Sequence, residues 1–145
     1  MSLIKRIWID YLINKLKTKK MTLREKQSIF MLNVGKLILF AYENGYELTA
    51  GELLRTKDQQ TLYFEGYTIK KIGSALRLCK ANRLSKTMFS KHLDKLAIDL
   101  NLFIDGAYKT DKESFKLLAE YWRGLDKNNE SGYDWGWDFN HFQMT

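Results

Sequence analysis

Ser90-Lys91-His92-Leu93-Asp94-Lys95-Leu96-Ala97-Ile98-Asp99-Leu100-Asn101-Leu102-Phe103 supports two incompatible readings, and the choice between them decides the fold. As a helix, Phe89, His92, Leu93, Leu96, Ala97 and Leu100 form one apolar stripe. As a strand over 97–103, Ile98, Leu100 and Leu102 share one face, while Ala97, Asp99, Asn101 and Phe103 share the other. The strand is favoured, because Asp105-Gly106 directly after it is a strong hairpin-turn signal. The strand also lets Asp99 point away from the core into a cleft. On a continuous helix His92 and Asp99 would lie about 10 Å apart along the axis. Two ligands that far apart cannot easily share an ion held at roughly 2 Å from each.

The chain has two histidines in all, His92 and His141. His141 lies in the stretch Trp135-Gly136-Trp137-Asp138-Phe139-Asn140-His141-Phe142, three residues after Asp138. Two imidazoles and a carboxylate are the ligand set of an open catalytic zinc site. The expectation is that His92, Asp99 and His141 meet at one metal. The imidazoles favour zinc over calcium or magnesium. A histidine seven residues before an aspartate is by itself a weak signal, since such a histidine is usually structural, and Asp138-x-x-His141 strengthens it modestly. Cys79 is the single cysteine, so no intrachain disulfide forms, and no histidine is left over to activate it as a nucleophile.

The surrounding chain reads as one domain with one core. Thr22 and Glu25 form a capping box that opens a helix to about Glu43, with Phe30, Val34, Leu37, Ile38 and Ala41 buried and Asn44-Gly45 closing it. Tyr46 to Leu54 reads as a strand and Lys57 to Tyr63 as a short helix. Residues 66–89, punctuated by Gly66 and Gly73, suggest a solvated loop with one short helix. Thr110 is the expected N-cap of a helix over 111–124 that buries Phe115, Leu118 and Tyr121 or Trp122. A polar loop runs from Asp126 to Gly132. The last strand puts His141, Gln143 and Thr145 on one face and Phe142 and Met144 on the other.

Charge is unevenly placed. The net charge is +7. Residues 1–20 carry +5, and 3–17 read as an amphipathic helix in which Ile4, Ile7, Trp8, Tyr11, Leu12 and Leu16 recur at helical spacing. Docking on the domain, contact with an anionic membrane through residues 1–20, and a mobile arm all fit it. Residues 55–95 hold ten basic residues against Asp58, Glu65 and Asp94, a surface suited to an anionic polymer. The 45% hydrophobic content argues against disorder. The first apolar run is cut at Asp10, so no secretory segment is expected.

Ser90-x-His92-x-x-x-x-Ala97-x-Asp99, followed by an aromatic, glycine-containing segment ending Asp138-x-x-His141-Phe142, resembles the zinc peptidases of bacterial cell walls. These are the D-alanyl-D-alanine carboxypeptidases (VanY-like) and the phage endolysins that cleave L-alanyl-D-glutamate bonds. Glu52 to Gln60 is similar to the family's Arg-Thr-x-x-Gln segment, and Asp105-Gly106, Tyr121-Trp122 and Trp135-Gly136 follow in the endolysin order. The likeness spans about residues 23–143. It departs at Lys95, where glycine is common, and at Trp137, where a second glycine is common.

The resemblance implies an α+β, Hedgehog/DD-peptidase-like fold over 22–145, preceded by the basic helix of 1–21. A small antiparallel sheet would carry helices on one face and the zinc site on the other, open face. It implies His92, Asp99 and His141 as zinc ligands, Asp138 as general base and acid, and Arg55 as the group that holds the scissile carbonyl oxygen. Ser90, Gln59 and Trp135 would contact substrate. The expected activity is hydrolysis of peptidoglycan stem peptides between L-alanine and D-glutamate, with D-alanyl-D-alanine carboxypeptidase as the alternative. The expected partner is peptidoglycan rather than nucleic acid, and the chain is expected to be a monomer. As a phage or prophage endolysin it would be made in the host cytoplasm and reach the wall after release through the membrane. From another class, a non-catalytic basic module binding cell wall or nucleic acid also fits the charge.

Overall fold

The computed structural model describes residues 20–145. The helix expected over 3–17 lies outside the described residues. Helix α1 (Leu23–Glu43) starts at the expected capping box. The Thr22 hydroxyl accepts from the Glu25 amide at 3.2 Å, and the Glu25 carboxylate accepts from the Thr22 amide at 2.8 Å. Phe30, Val34, Leu37 and Ala41 face the core. At its end Gly45 takes φ +75, where glycine has no Cβ to clash.

Strand β1 (Tyr46–Ala50) follows, then helix α2 (Lys57–Glu65), and strands β2 (Tyr67–Ile72) and β3 (Ala75–Lys80). A 3-10 turn (Lys91–Asp94) leads into strand β4 (Ala97–Ile104), and β5 (Ala107–Lys109) returns from the Asp105-Gly106 turn. Helix α3 (Lys112–Leu125), strand β6 (Asn129–Ser131), the one-turn helix α4 (Gly132–Trp135) and strand β7 (His141–Met144) complete the chain. The main sheet runs β1-β4-β7-β6 with β5 also on β4, and every pairing in it is antiparallel.

The strand reading of 97–103 is what folds. Ile98, Leu100 and Leu102 are buried against α1 and α3, together with Phe142 and Met144 of β7. Trp122 of α3 packs edge-on to Phe30 at 5.8 Å and to Phe142 at 5.9 Å between ring centres. Its indole N–H donates to the Glu130 carbonyl at 2.9 Å, which satisfies a polar atom that burial would otherwise strand. Helices α1 and α3 thus occupy one face of the sheet, and Asp99, His141 and Gln143 stand on the other. This is the expected α+β architecture.

Four local expectations change. Residues 67–80 form the β2–β3 hairpin rather than a loop with a short helix. Ile69 to Leu78 is solvent-exposed throughout, so no buried face marks the strands. Asp111, not Thr110, caps α3: its carboxylate accepts from the Ser114 amide at 3.0 Å and takes the position that the hydroxyl of Thr110 was expected to fill. The first strand stops at Ala50, because two residues then oppose one: Gly51 donates to the Asp99 carbonyl at 2.7 Å and the Glu52 carbonyl accepts from the Asp99 amide at 2.9 Å. A Cβ on Gly51 would sit 3.1 Å from both Asp99 Cβ and Asp99 O. The 126–132 loop contains β6, which pairs with β7.

Lys95 closes the 3-10 turn in the left-handed conformation, at φ 54 and ψ 38. The turn therefore keeps the backbone that a glycine would take, at a steric cost to lysine of roughly 1–2 kcal/mol. Lys95→Gly removes that cost and adds chain entropy to the unfolded state. The expected net is a gain of about 0.5–1 kcal/mol, seen as a higher urea midpoint. A lower midpoint would contradict it.

Candidate active site

The sheet register assembles the site. β4 and β7 pair so that Asp99 lies directly opposite His141, which places the two side chains on the same face as a cross-strand pair. The 3-10 turn supplies the third group. Ser90 caps it by accepting from the His92 amide at 3.3 Å, and Lys95 then swings the chain into β4. One donor atom each from His92, Asp99 and His141 lies within 4.8 Å of the others.

The hydrogen bonds fix the tautomers. His92 Nδ1 is 3.1 Å from the Leu53 carbonyl, which can only accept. That nitrogen carries the proton, and Nε2 turns its lone pair toward Asp99 Oδ1 at 3.4 Å. On the other side, the Gln143 amide donates to Glu130 at 3.0 Å, so its carbonyl oxygen faces His141 Nε2 at 3.1 Å. His141 Nε2 then holds the proton, and Nδ1 faces the same Asp99 oxygen at 3.1 Å. Three lone-pair donors face one another, and each imidazole is held from behind by a protein partner. This is the arrangement that outer-shell hydrogen bonds impose on metal-binding histidines. The donor set fits zinc.

Without a cation, a proton on His141 Nδ1 can bond Asp99 in its place. Burial pushes the Asp99 carboxyl up, but the hydrogen bonds of His141 and His92 and their charges outweigh it, lowering it from 3.8 to about 2. Burial pushes His141 down from 6.5, and the hydrogen bonds to Asp99 and Gln143 with the charges of Asp99 and Asp138 more than reverse this. Asp99 thus stabilises the metal-free fold fully above pH 3.8, and that contribution is lost as pH falls toward 2. His141, raised when folded, contributes fully below pH 6.5 and loses its contribution as pH rises through its folded value. The metal-free protein is expected to be most stable between about pH 4 and 6.5, measured as the urea midpoint across pH. A maximum above pH 8 would contradict this.

Asp138 follows at φ 58, and its carboxylate lies 3.9 Å from His141 Nδ1. Burial is the main cause that raises its pKa, and the charge of His141 opposes this. The ring of Trp135 sits 5.3 Å from that of His141, and Trp137 lies beside it with Lys86 Nζ 4.8 Å above its ring centre. These groups line an open cleft of about 580 Å³, together with Arg55, Tyr63, Ser90 and the 83–87 segment.

Arg55 stands in the cleft wall. Its guanidinium donates to Glu52 through Nε at 2.9 Å and through Nη2, and to Gln60 Oε1 through Nη1 at 2.9 Å. It lies 4.9 Å from the centre of the Tyr63 ring. The Gln60 amide in turn donates to Ser85 Oγ at 2.8 Å and to the Thr87 carbonyl. Gln60 therefore ties the arginine to the 83–87 segment. The sequence had pointed to Gln59 instead. Gln59 does not line the cleft; it donates to the Tyr63 hydroxyl at 2.8 Å, one residue behind the wall. Nothing local marks Gln60, Gln143 or Glu130, because the bonds that orient them reach Ser85 and Thr87 from Gln60 and join Gln143 to Glu130, all far apart in sequence. Gln143→Ala should weaken metal affinity about 10–100-fold, read as the dissociation constant in a zinc-chelator competition; an unchanged constant would contradict it.

No family model matches the chain, and no curated protein matches it. Among solved structures, the crystal structure of Serratia marcescens L-Ala D-Glu endopeptidase ChiX is similar in fold, with a TM-score of 0.54 and 22% identity over 78% of each chain.

Proposed function

We propose that the protein is a zinc-dependent peptidase that hydrolyses peptidoglycan stem peptides, between L-alanine and D-glutamate. The observation that carries this reading is the convergence of His92 Nε2, Asp99 Oδ1 and His141 Nδ1 on one point at the floor of an open cleft. The fold shared with an L-Ala D-Glu endopeptidase supports the choice of bond.

His92, Asp99 and His141 would hold the zinc. Bound there, it supplies Lewis acidity and lowers the pKa of a coordinated water toward neutrality. The remaining work falls to the chain itself. Asp138 accepts the proton of the attacking water and returns it to the departing amine, a role suited to a carboxyl whose pKa burial has raised. Arg55 has five N–H groups, and three are engaged by Glu52 and Gln60. Two remain for a carbonyl oxygen that gains negative charge in the transition state. Trp135 and Trp137 flank the cleft and offer faces to the substrate backbone, while Ser90 both lines the cleft and steadies His92.

Mass spectrometry of purified peptidoglycan after digestion tests the reading. New peptides beginning at D-glutamate are the expected product. Release of D-alanine alone would identify a D-alanyl-D-alanine carboxypeptidase instead. Unchanged stem peptides with zinc-loaded protein would overturn the peptidase reading.

A further inference from the structure

The β2–β3 hairpin is absent from the chemistry above, and its surface is unusual. Its antiparallel register sets Ile69 opposite Leu78 and Lys71 opposite Leu76 on one face, and Lys70 opposite Arg77 on the other. Ile69, Leu76 and Leu78 are 56%, 74% and 62% exposed. Ile72 at the turn is 53% exposed. The fourteen residues 67–80 carry four cations, Lys70, Lys71, Arg77 and Lys80, and no acidic residue. None of the four forms an ion pair among the described residues, and Lys80 lies instead over the ring of Tyr67 at 4.4 Å.

We propose that this hairpin is a docking surface for an anionic lipid bilayer. Three physical points select that partner. A contiguous apolar face on an isolated two-stranded sheet leaves hydrophobic area in water that a partner would cover. Wall polymers and nucleic acid phosphates would satisfy the cations but give nothing to Ile69, Leu76 and Leu78. A second copy of the chain would offer aliphatic side chains, but would bring four like charges against four. An anionic bilayer takes both halves: the aliphatic face enters the acyl boundary, and the lysine and arginine stems reach back to the phosphates. No helix among the described residues is long and apolar enough to cross a membrane.

The test is co-sedimentation of the full chain with vesicles of phosphatidylglycerol and phosphatidylcholine, against vesicles of phosphatidylcholine alone. Binding to the anionic vesicles only is expected. Lys70→Gln, Lys71→Gln and Arg77→Gln together should weaken it roughly 100-fold, at about fivefold per cation. Ile69→Thr, Leu76→Thr and Leu78→Thr together keep strand propensity and should weaken it at unchanged charge. Both triple variants sit on exposed positions away from the cleft, so zinc content and melting temperature should match the parent and exclude misfolding as the cause. Binding that survives both variants overturns the proposal, as does binding lost only when Lys15, Lys17, Lys19 and Lys20 are neutralised. Dimerisation through the hairpin, or capture by purified wall polymer without vesicle binding, overturns it too.

Discussion

Asp99→Asn should leave a folded protein that no longer takes up zinc. Asp99 Oδ1 is the one atom that faces both imidazoles, 3.1 Å from His141 and 3.4 Å from His92. The amide keeps an oxygen of similar size but removes the anion that offsets the metal's charge. The loss of affinity should exceed the roughly 10–100-fold that an outer-shell partner contributes. Wild-type protein should retain about one zinc per chain after dialysis, as three protein ligands hold it and leave the fourth position open. The variant should retain almost none. Zinc at about 1,000 times its dissociation constant stabilises by about 4 kcal/mol. For a domain of this size that raises the melting temperature on the order of 10 °C. The variant should show no such rise, and stem-peptide hydrolysis should vanish with it. Chelation of the wild type should reproduce the variant's behaviour, and zinc should restore only the wild type. A full zinc-dependent rise in the variant would remove Asp99 from the ligand set.

How far the sequence alone reaches depends on where each residue's partner lies. The apolar residues of β4 fit a helical stripe as well as a strand face, and the Asp105-Gly106 turn decided for the strand; its core face is then Ile98, Leu100 and Leu102, and Asp99 falls out of phase with them. The same phase at Phe142 and Met144 places His141. Two phases read independently therefore put two ligands on the same open face, and the register that sets them opposite each other needed the structure. The hairpin of 67–80 was illegible for the converse reason. Both its faces meet water from Ile69 to Leu78, so burial imposes no pattern. Gln60 and Gln143 were missed because an amide's role is set by what it touches. Gln143 matters because Glu130 fixes which end faces His141, and that contact exists only after β6 and β7 pair. Asp111 displaced Thr110 by one position, an error that capping preferences cannot resolve when two capping residues are adjacent.

Gly132→Ala should damage catalysis far more than its size suggests. Gly132 is buried at the start of α4, and a Cβ there would lie 1.8 Å from the Asp138 carbonyl oxygen and 2.7 Å from that of Trp137. Both are backbone atoms, so no rotamer change relieves the contact. α4 cannot easily retreat, because Arg123 holds Asp134 at 2.9 Å and Ser131 bonds the same carboxylate. The 136–140 loop must move instead. That loop carries Trp137 and Asp138, and the Asp138 carbonyl accepts from the His141 amide at 2.9 Å. A methyl group on Gly132 thus displaces the proposed proton carrier and loosens the entry to a ligand strand. Displacement near 1 Å can lower turnover about 10²-fold, and an overpacked site typically loses about 1–3 kcal/mol of stability. Asp138→Asn separates the two effects. It should lower turnover by a factor of about 10²–10⁴ while zinc affinity and melting temperature hold, since Asp138 is not among the three converging donors. Gly132→Ala should lower turnover and melting temperature together. If Gly132→Ala hydrolyses stem peptides at the parent rate, the loop is not the rigid carrier of Asp138, and another group must move the proton.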